Sequence, residues 1–313
     1  MTAQPTAPAT LAGTDLLSLR EVTGEQLDAL VRSALAIKQD PQAYRTSLDG
    51  KGLLLLMQKT STRTVLAFTA GMFQLGGYAL RMDWDTSNFA ISPLEYEARY
   101  VSTSIDAVMA RLLRYEDVAS LAEHASIPVI NGCCNTYHPS QTVADLLTVL
   151  EVFGRFEGVR LTYVGVHNNV TNSLLAGATK VGVQVNLVTP VEHKVDPELV
   201  AEAEATGLVK RYASVQEAAA DSDVVYTDTW IDMENFDDPA YQPEKQRRIE
   251  QLTPFQLNAT TLAGTDPVVM HDMPVHPGFE ISAELVTAPK SVIFQQAENR
   301  LHSAKAILHA LLG

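Results

Sequence analysis

The sequence predicts an α/β chain of two doubly wound parallel-sheet domains joined by a long helix. Short apolar runs of strand length alternate with amphipathic stretches of helical period, the signature of a parallel sheet covered on both faces. From His138 to Phe153 a helical pattern runs without Gly or Pro after its first turn, stops at Gly154 to Gly158, and the alternation then restarts. With 313 residues, 46% of them hydrophobic, the chain can bury two such cores.

Each element follows in order. Residues 1–14, rich in Pro, Ala and Thr, read as a flexible tail. Thr23 is placed to cap a helix carrying Leu27, Leu30, Val31, Ala34 and Leu35 on one face. "LLLLM" after Gly52 is a strand, followed by a hydroxyl-rich turn and a helix that stops at Gly76-Gly77. "YALRMD" is the next strand. A polar loop surrounds Asn88, and a helix begins near Pro93. "IDAVMARL" and "IPVIN" are strands with the helix "YEDVASLAEHA" between them. The first domain is thus predicted over 15–150. The second, over 151–290, repeats the rhythm: "VRLTYVGV", a helix from Asn169, "VQVNLVTP", another helix, "DVVYTD", a charged helix over 244–252, and "PVVMH". Residues 291–313 end in a helix with Leu301, Ala304, Ile307, Leu308 and Leu311 on one side, expected to pack back on the first domain.

Charge narrows the function. Twenty-three Lys+Arg against 37 Asp+Glu give a net charge of −14, which argues against nucleic acid or an anionic membrane as partner. No apolar run reaches the roughly 18 residues of a membrane span. The N-terminus lacks the charged and apolar regions of a signal peptide. The adjacent Cys133 and Cys134 suit neither an ordinary disulfide nor a zinc site, so a reduced cytoplasmic compartment is expected, with no metal and no cofactor.

Against that acidic background a local basic cluster stands out. After "LLLLM" come Lys59, Thr60, Ser61, Thr62, Arg63 and Thr64. A helix starting directly after a strand aims its free N–H groups and positive dipole end at the carboxyl edge of the sheet. Hydroxyls there, beside Lys59 and Arg63, make a cradle for an anion such as phosphate; the plain alternative is a helix cap beside a solvated Arg. The Gly spacing of a Walker loop is missing. His138, Gln141 and Asp145 follow at i, i+3 and i+7 on one face of the bridging helix, with Pro139 in its first turn. An imidazole and an amide presented together suit a carbonyl oxygen that gains charge during attack; the alternative is a capping His and an Asp on a wet face. Arg111 and His138 both follow strands and should emerge at the same sheet edge as the hydroxyl turn. In "VGVHNNVTNSLLAG" the G-x-G-x-x-G fingerprint is absent and His167-Asn168-Asn169 occupies the turn, which argues against NAD.

Taken together, "KTSTRT", "MARLL", "HPSQTVADLLTV", "NNVTNSL", "DTWIDM", "HDMP" and "QAENRLHSAKAIL" resemble, in order and spacing, the aspartate/ornithine carbamoyltransferase family, nearest its ornithine branch. The resemblance covers nearly all of the chain after residue 14. It implies a carbamoyl-phosphate domain followed by an amino-acid domain, assembled as a homotrimer whose active sites are shared between neighbours. It implies that Ser61, Thr62, Arg63 and Thr64 bind phosphate and that Arg111 bridges phosphate and carbamoyl oxygen. His138 and Gln141 would orient the carbamoyl group, and Arg300 would close on the same ligand. Asn169 and Asp228 would hold the carboxylate and α-amino group of ornithine, with Met233 and Met273 in the same pocket. Asn88, replacing the usual Gln, would reach a neighbouring subunit.

The departures concern the second substrate. Asp232-Met233-Glu234 replaces Ser-Met-Gly, His271-Asp272-Met273-Pro274 replaces His-Cys-Leu-Pro, and Pro277 replaces an Arg. A carboxylate at Asp272 would anchor an ammonium and raise the amine's pKa unless it also accepts the proton, and Asp232 would meet a further donor. The expected reaction is carbamoyl transfer to an amine, with Thr64, Arg111 and His138 stabilising the oxyanion. Ornithine is the default acceptor; lysine, a shorter diamino acid, a diamine or a secondary-metabolite precursor are alternatives. A catalytically silent regulatory homologue is the reading from another class.

Overall fold

The computed structural model describes residues 11–313, the side chain of Glu234 excepted; the expected tail over 1–14 therefore lies largely outside the described residues. The chain divides into two compact units. One runs to Leu147 and includes Glu298–Gly313; the other is Thr148–Ala297.

The first unit opens with α1 (Gly24–Gln39). Thr23 and Gln26 form a reciprocal capping box at its start. Ile37 is buried on its inner face and Leu35 only half-buried, because 3.6-residue periodicity carries the apolar stripe one position further by the third turn. β1 (Gly52–Met57), α2 (Arg63–Gln74), β2 (Tyr78–Asp83), α3 (Leu94–Val101), β3 (Ala107–Arg111), α4 (Tyr115–His124) and β4 (Val129–Asn131) follow. The sheet order is β2-β1-β3-β4, all parallel. Every residue of β1 and β3 is buried, as continuous apolar runs in central parallel strands require, whereas edge strand β2 is mostly exposed. Met57 pairs with Arg111 at the carboxyl ends, so the turn after β1 and the guanidinium after β3 leave the sheet side by side.

α5 (Pro139–Phe153) carries the chain from one unit into the other. It ends where Gly154 turns left-handed (φ 70°) and its N–H bonds Leu150 O, the glycine stop its sequence predicts.

The second unit contains β5 (Arg160–His167), α6 (Asn169–Ala178), β6 (Gln184–Glu192), α7 (Pro197–Ala205), β7 (Val209–Arg211), α8 (Val215–Ala220), β8 (Val224–Thr227), α9 (Gln242–Leu252), β9 (Val268–His271) and α10 (Ala283–Val286). Its sheet runs β7-β6-β5-β8-β9, again all parallel. The expectation of two doubly wound parallel sheets is met. β7, α8 and α10 are additions, each too short to leave a periodic signal. Between Val164 and Val166 the register of β5 shifts around Gly165 (φ 133°), a bulge that re-aims His167 and Asn168 at the carboxyl edge. The opposite edge is tied by Arg160, which donates to Asp221 and Asp223.

α11 (Ile293–Leu312) returns the chain to the first unit at Glu298. Ala304, Ile307, Leu308 and Leu311 are buried, and a methyl group on Gly71 of α2 would stand 3.3 Å from Lys305 Cγ. Among the described residues no helix is long and apolar enough to cross a membrane, and no group of three His, Cys, Asp or Glu is set to hold a metal.

Candidate active site

In the first unit the sheet edge gathers cations around one hydroxyl. Thr64, 1% exposed in the first turn of α2, accepts from Arg300 Nη2 at 3.0 Å and from Arg111 Nη1 at 3.5 Å. Arg111 also reaches Gly132 O at 3.5 Å, and its buried Nε has no hydrogen-bond partner among the described residues. Arg300 Nη2 stands 3.4 Å from His138 Nε2. Ser61 Oγ accepts the Thr64 N–H at 3.2 Å and shapes the turn, whereas Thr62, the N-cap residue, makes no side-chain cap and is exposed. Burial, then Arg300, Arg111, Lys59 and Arg63 in turn, hold the His138 pKa well below its ordinary value. The imidazole is therefore neutral at pH 7, beside the positive charges of Arg300, Arg111, Lys59 and Arg63.

Gln141, 1% exposed, donates Nε2 to Asp145 Oδ1 at 2.8 Å. Since a carboxylate only accepts, this fixes the amide orientation and leaves Oε1 buried with no partner among the described residues. Asp145 is wholly buried, so the wet-face alternative for it is excluded. The approach to His138 is held by Asn131 and the two cysteines, a role the sequence reading did not assign them. Cys134 Sγ receives the N–H groups of Thr136 and Tyr137, and Asn131 Oδ1 receives that of Cys133, which sits at φ 147°. Both cysteines are buried and form no disulfide.

This edge thus offers cations and helix-terminal N–H groups for an anion, an orphan donor at Arg111, an orphan acceptor at Gln141 and a neutral imidazole. That donor and acceptor set fits a small molecule bearing a phosphate and an amide-like group. Asn88 lies in a turn (Asn88–Ala90), exposed, and takes part in none of these contacts.

In the second unit the carboxyl edge is acidic. Asn168 caps α6, accepting from Val170 N and Thr171 N, and donates Nδ2 to Asp228 Oδ2 at 2.9 Å. Asn169, the residue singled out in the sequence, is half-buried beside it, and its Oδ1 accepts Val170 N. Asp228 is 4% exposed and also accepts Thr229 N at 2.7 Å. Burial, then the charge of Asp272, push its carboxyl well above the ordinary range, against the pull of Asn168 and Thr229. Asp272 is half-buried, directly after β9.

Asp232 faces partners within the chain: His193 Nε2 lies at 3.5 Å and Arg248 Nη1 at 3.9 Å. His193 and Arg248 are thus donors that the chain itself brings near Asp232. Met233 is half-buried in the turn Met233–Asn235. Met273 (φ 63°) packs against the unit's core, and its N–H donates to His271 Nδ1 at 2.8 Å. That bond puts the proton of His271 on Nε2, which donates to Glu280 Oε1 at 3.0 Å. Glu280 also receives the His276 N–H, and its Oε2 is buried without a hydrogen-bond partner among the described residues. Nothing in the sequence around Glu280 announces this role.

The chain matches two family models: "Aspartate/ornithine carbamoyltransferase, carbamoyl-P binding domain" over residues 14–151, and "Aspartate/ornithine carbamoyltransferase, Asp/Orn binding domain" over 157–311. It is 38% identical to an ornithine carbamoyltransferase of Thermococcus kodakarensis, with 97% of this chain and 98% of that one covered. It is also 38% identical to one of Bacillus subtilis, with 96% and 95% covered. Among solved structures it resembles ornithine carbamoyltransferase from Pyrococcus furiosus, with TM-score 0.90 and 35% identity, covering 97% of this chain and 98% of that one.

Proposed function

The chain belongs to the aspartate/ornithine carbamoyltransferase family, and from that premise we propose that it transfers the carbamoyl group of carbamoyl phosphate to the side-chain amine of ornithine, giving citrulline and inorganic phosphate. The observation that carries this reading is the cluster in which Arg111 and Arg300 converge on Thr64 beside a neutral His138.

The phosphate of the donor takes the turn Ser61, Thr62, Arg63 and Thr64 and the N-terminus of α2, where dipole and guanidinium both favour a dianion. The orphan Oε1 of Gln141 receives the carbamoyl NH2, and the orphan Nε of Arg111 supplies a donor. A neutral His138 keeps an N–H for the carbamoyl oxygen. Asn169 and Asp228 hold the carboxylate and α-ammonium of the amino acid, with Asp232, Met233, Asp272 and Met273 lining the same pocket. The side-chain amine attacks in its free-base form. Charge then develops on the carbamoyl oxygen, where Thr64, Arg111 and His138 lie ready to stabilise it before phosphate leaves. This sequence of steps calls on no metal and no covalent intermediate.

The same reading includes a cytoplasmic homotrimer. Supporting it, the first unit exposes the large apolar side chains Leu66, Phe73, Leu80, Ile91, Tyr96 and Tyr100, and Asn88 is exposed in that unit.

Purified protein given carbamoyl phosphate and ornithine is expected to form one citrulline per phosphate released. The rate should rise with pH as the amine, with an ordinary pKa of about 10, loses its proton, and no step should mark His138 near its usual 6.5. Absence of citrulline at any pH contradicts the assignment.

A further inference from the structure

Resting on the carbamoyltransferase reading above, we propose that His276 is a positioning residue for the acceptor. Its side chain ties both ends of the segment from Thr229 to Phe236, which carries Asp232 and Met233, and so sets the shape that receives the amino acid. Thr229 opens the segment. Its N–H donates to Asp228 Oδ1 at 2.7 Å and its hydroxyl to Ile231 O at 2.9 Å. A hydroxyl has one proton, so the 3.1 Å bond between Thr229 Oγ1 and His276 Nδ1 takes its hydrogen from the imidazole. Glu280 Oε2, 3.8 Å from the same nitrogen, favours a proton there.

Phe236 closes the segment. Its ring lies on the imidazole, with centroids 4.5 Å apart and planes 17° from parallel. Lys245 fixes the same residue, with Nζ 3.7 Å from the ring centre and donating to Phe236 O at 2.8 Å. His276 thus grips one end through a polar bond and the other through an aromatic stack. Burial, against the pull of Glu280, holds its pKa below the ordinary value, so both contacts are those of a neutral ring at pH 7.

Between these anchors the chain has little regular structure to keep its own shape. Asp232 O accepts the Asn235 N–H at 3.0 Å and Met233 O accepts the Phe236 N–H at 3.4 Å, a single turn of 3-10 helix. Asp232 faces His193 and Arg248, both distant in sequence. Releasing either anchor gives the segment more conformations, which must be given up again when the acceptor binds. Affinity then falls in proportion to the fraction of time the receiving shape is present. The donor turn of the first unit takes part in none of these contacts, so carbamoyl phosphate should bind as before.

The test compares the full-length wild type with three variants. H276F keeps a ring for Phe236 but no donor, H276N keeps a donor for Thr229 but no ring, and H276A keeps neither. KM for ornithine, kcat and the calorimetric Kd of carbamoyl phosphate alone are measured for each. KM for ornithine is expected to rise about tenfold or more in H276A and about threefold or more in each of the others, with kcat and the donor Kd within about twofold of wild type. An unmoved KM in both H276F and H276N overturns the proposal, even where H276A does not fold. A donor Kd weakened as much as the KM makes His276 a general support of the fold and overturns it equally. Both of these outcomes leave citrulline formation standing. No citrulline with the wild type overturns the proposal together with the reading beneath it.

Discussion

Replacing Arg111 by alanine is expected to lower kcat for citrulline formation about a hundred- to a thousandfold, equivalent to about 3 to 4 kcal/mol of lost transition-state stabilisation. Arg111 is 4% exposed, yet its contacts to Thr64 and Gly132 are long, at 3.5 Å. The protein therefore holds this guanidinium in place without using up its hydrogen-bonding capacity, as a site built for a developing negative charge requires. Stability should change little, because the bonds lost are weak and Arg300, Arg63 and Lys59 repel the charge removed. Arg111→Lys should recover only part of the rate, since one ammonium cannot replace a planar fork. Steady-state rates with a parallel melting curve check this. A variant that loses activity only by losing its fold would speak against the assigned role.

Glu280→Ala is expected to destabilise the second unit by about 3 kcal/mol, because it strands two buried donors, His271 Nε2–H and the His276 N–H, each costing about 1 to 3 kcal/mol when unsatisfied. For a unit of this size that corresponds to a fall in melting temperature of about 6 to 12 °C. The damage should reach the acceptor pocket as well. Glu280 fixes the His271 tautomer, and that tautomer accepts the Met273 N–H directly after Asp272. Glu280→Gln keeps an acceptor oxygen for the imidazole and should lose roughly half as much. Thermal unfolding of the two variants side by side checks the difference; equal melting temperatures for wild type and Glu280→Ala would refute the argument.

Much of this was legible in the chain, for physical reasons. β1 and β3 declare themselves because a central parallel strand is buried on both faces and needs an unbroken apolar run. The Thr23 capping box and the Gly154 stop are local devices, written in adjacent residues. Part of the cationic cradle was legible because the Ser61–Thr64 turn and Arg111 sit where an α/β unit presents side chains, at the carboxyl ends of β1 and β3; Arg300 comes from α11.

What escaped depends on longer-range geometry. β7, with the sequence Val209-Lys210-Arg211, has too few apolar residues to signal a strand, and its neighbour β6 decides its fate. Asn168 and Asn169 are identical in type, and only the extended backbone of Asn168 makes it the cap that also reaches Asp228. The contacts of Asp232 with His193 and Arg248 were hidden because both partners lie far from it in sequence. Glu280 was invisible for the same reason, since its importance comes from the imidazole nine positions earlier.

The account rests on an anion site in the first unit formed around Thr64 by Arg111, Arg300 and the turn from Ser61. Calorimetric titration of carbamoyl phosphate into wild-type protein and Arg300→Ala, without acceptor, tests it most directly. Binding at one site per chain, weakened a hundredfold or more in the variant, is the predicted result. No heat with the wild type, or equal affinity for both proteins, would contradict it.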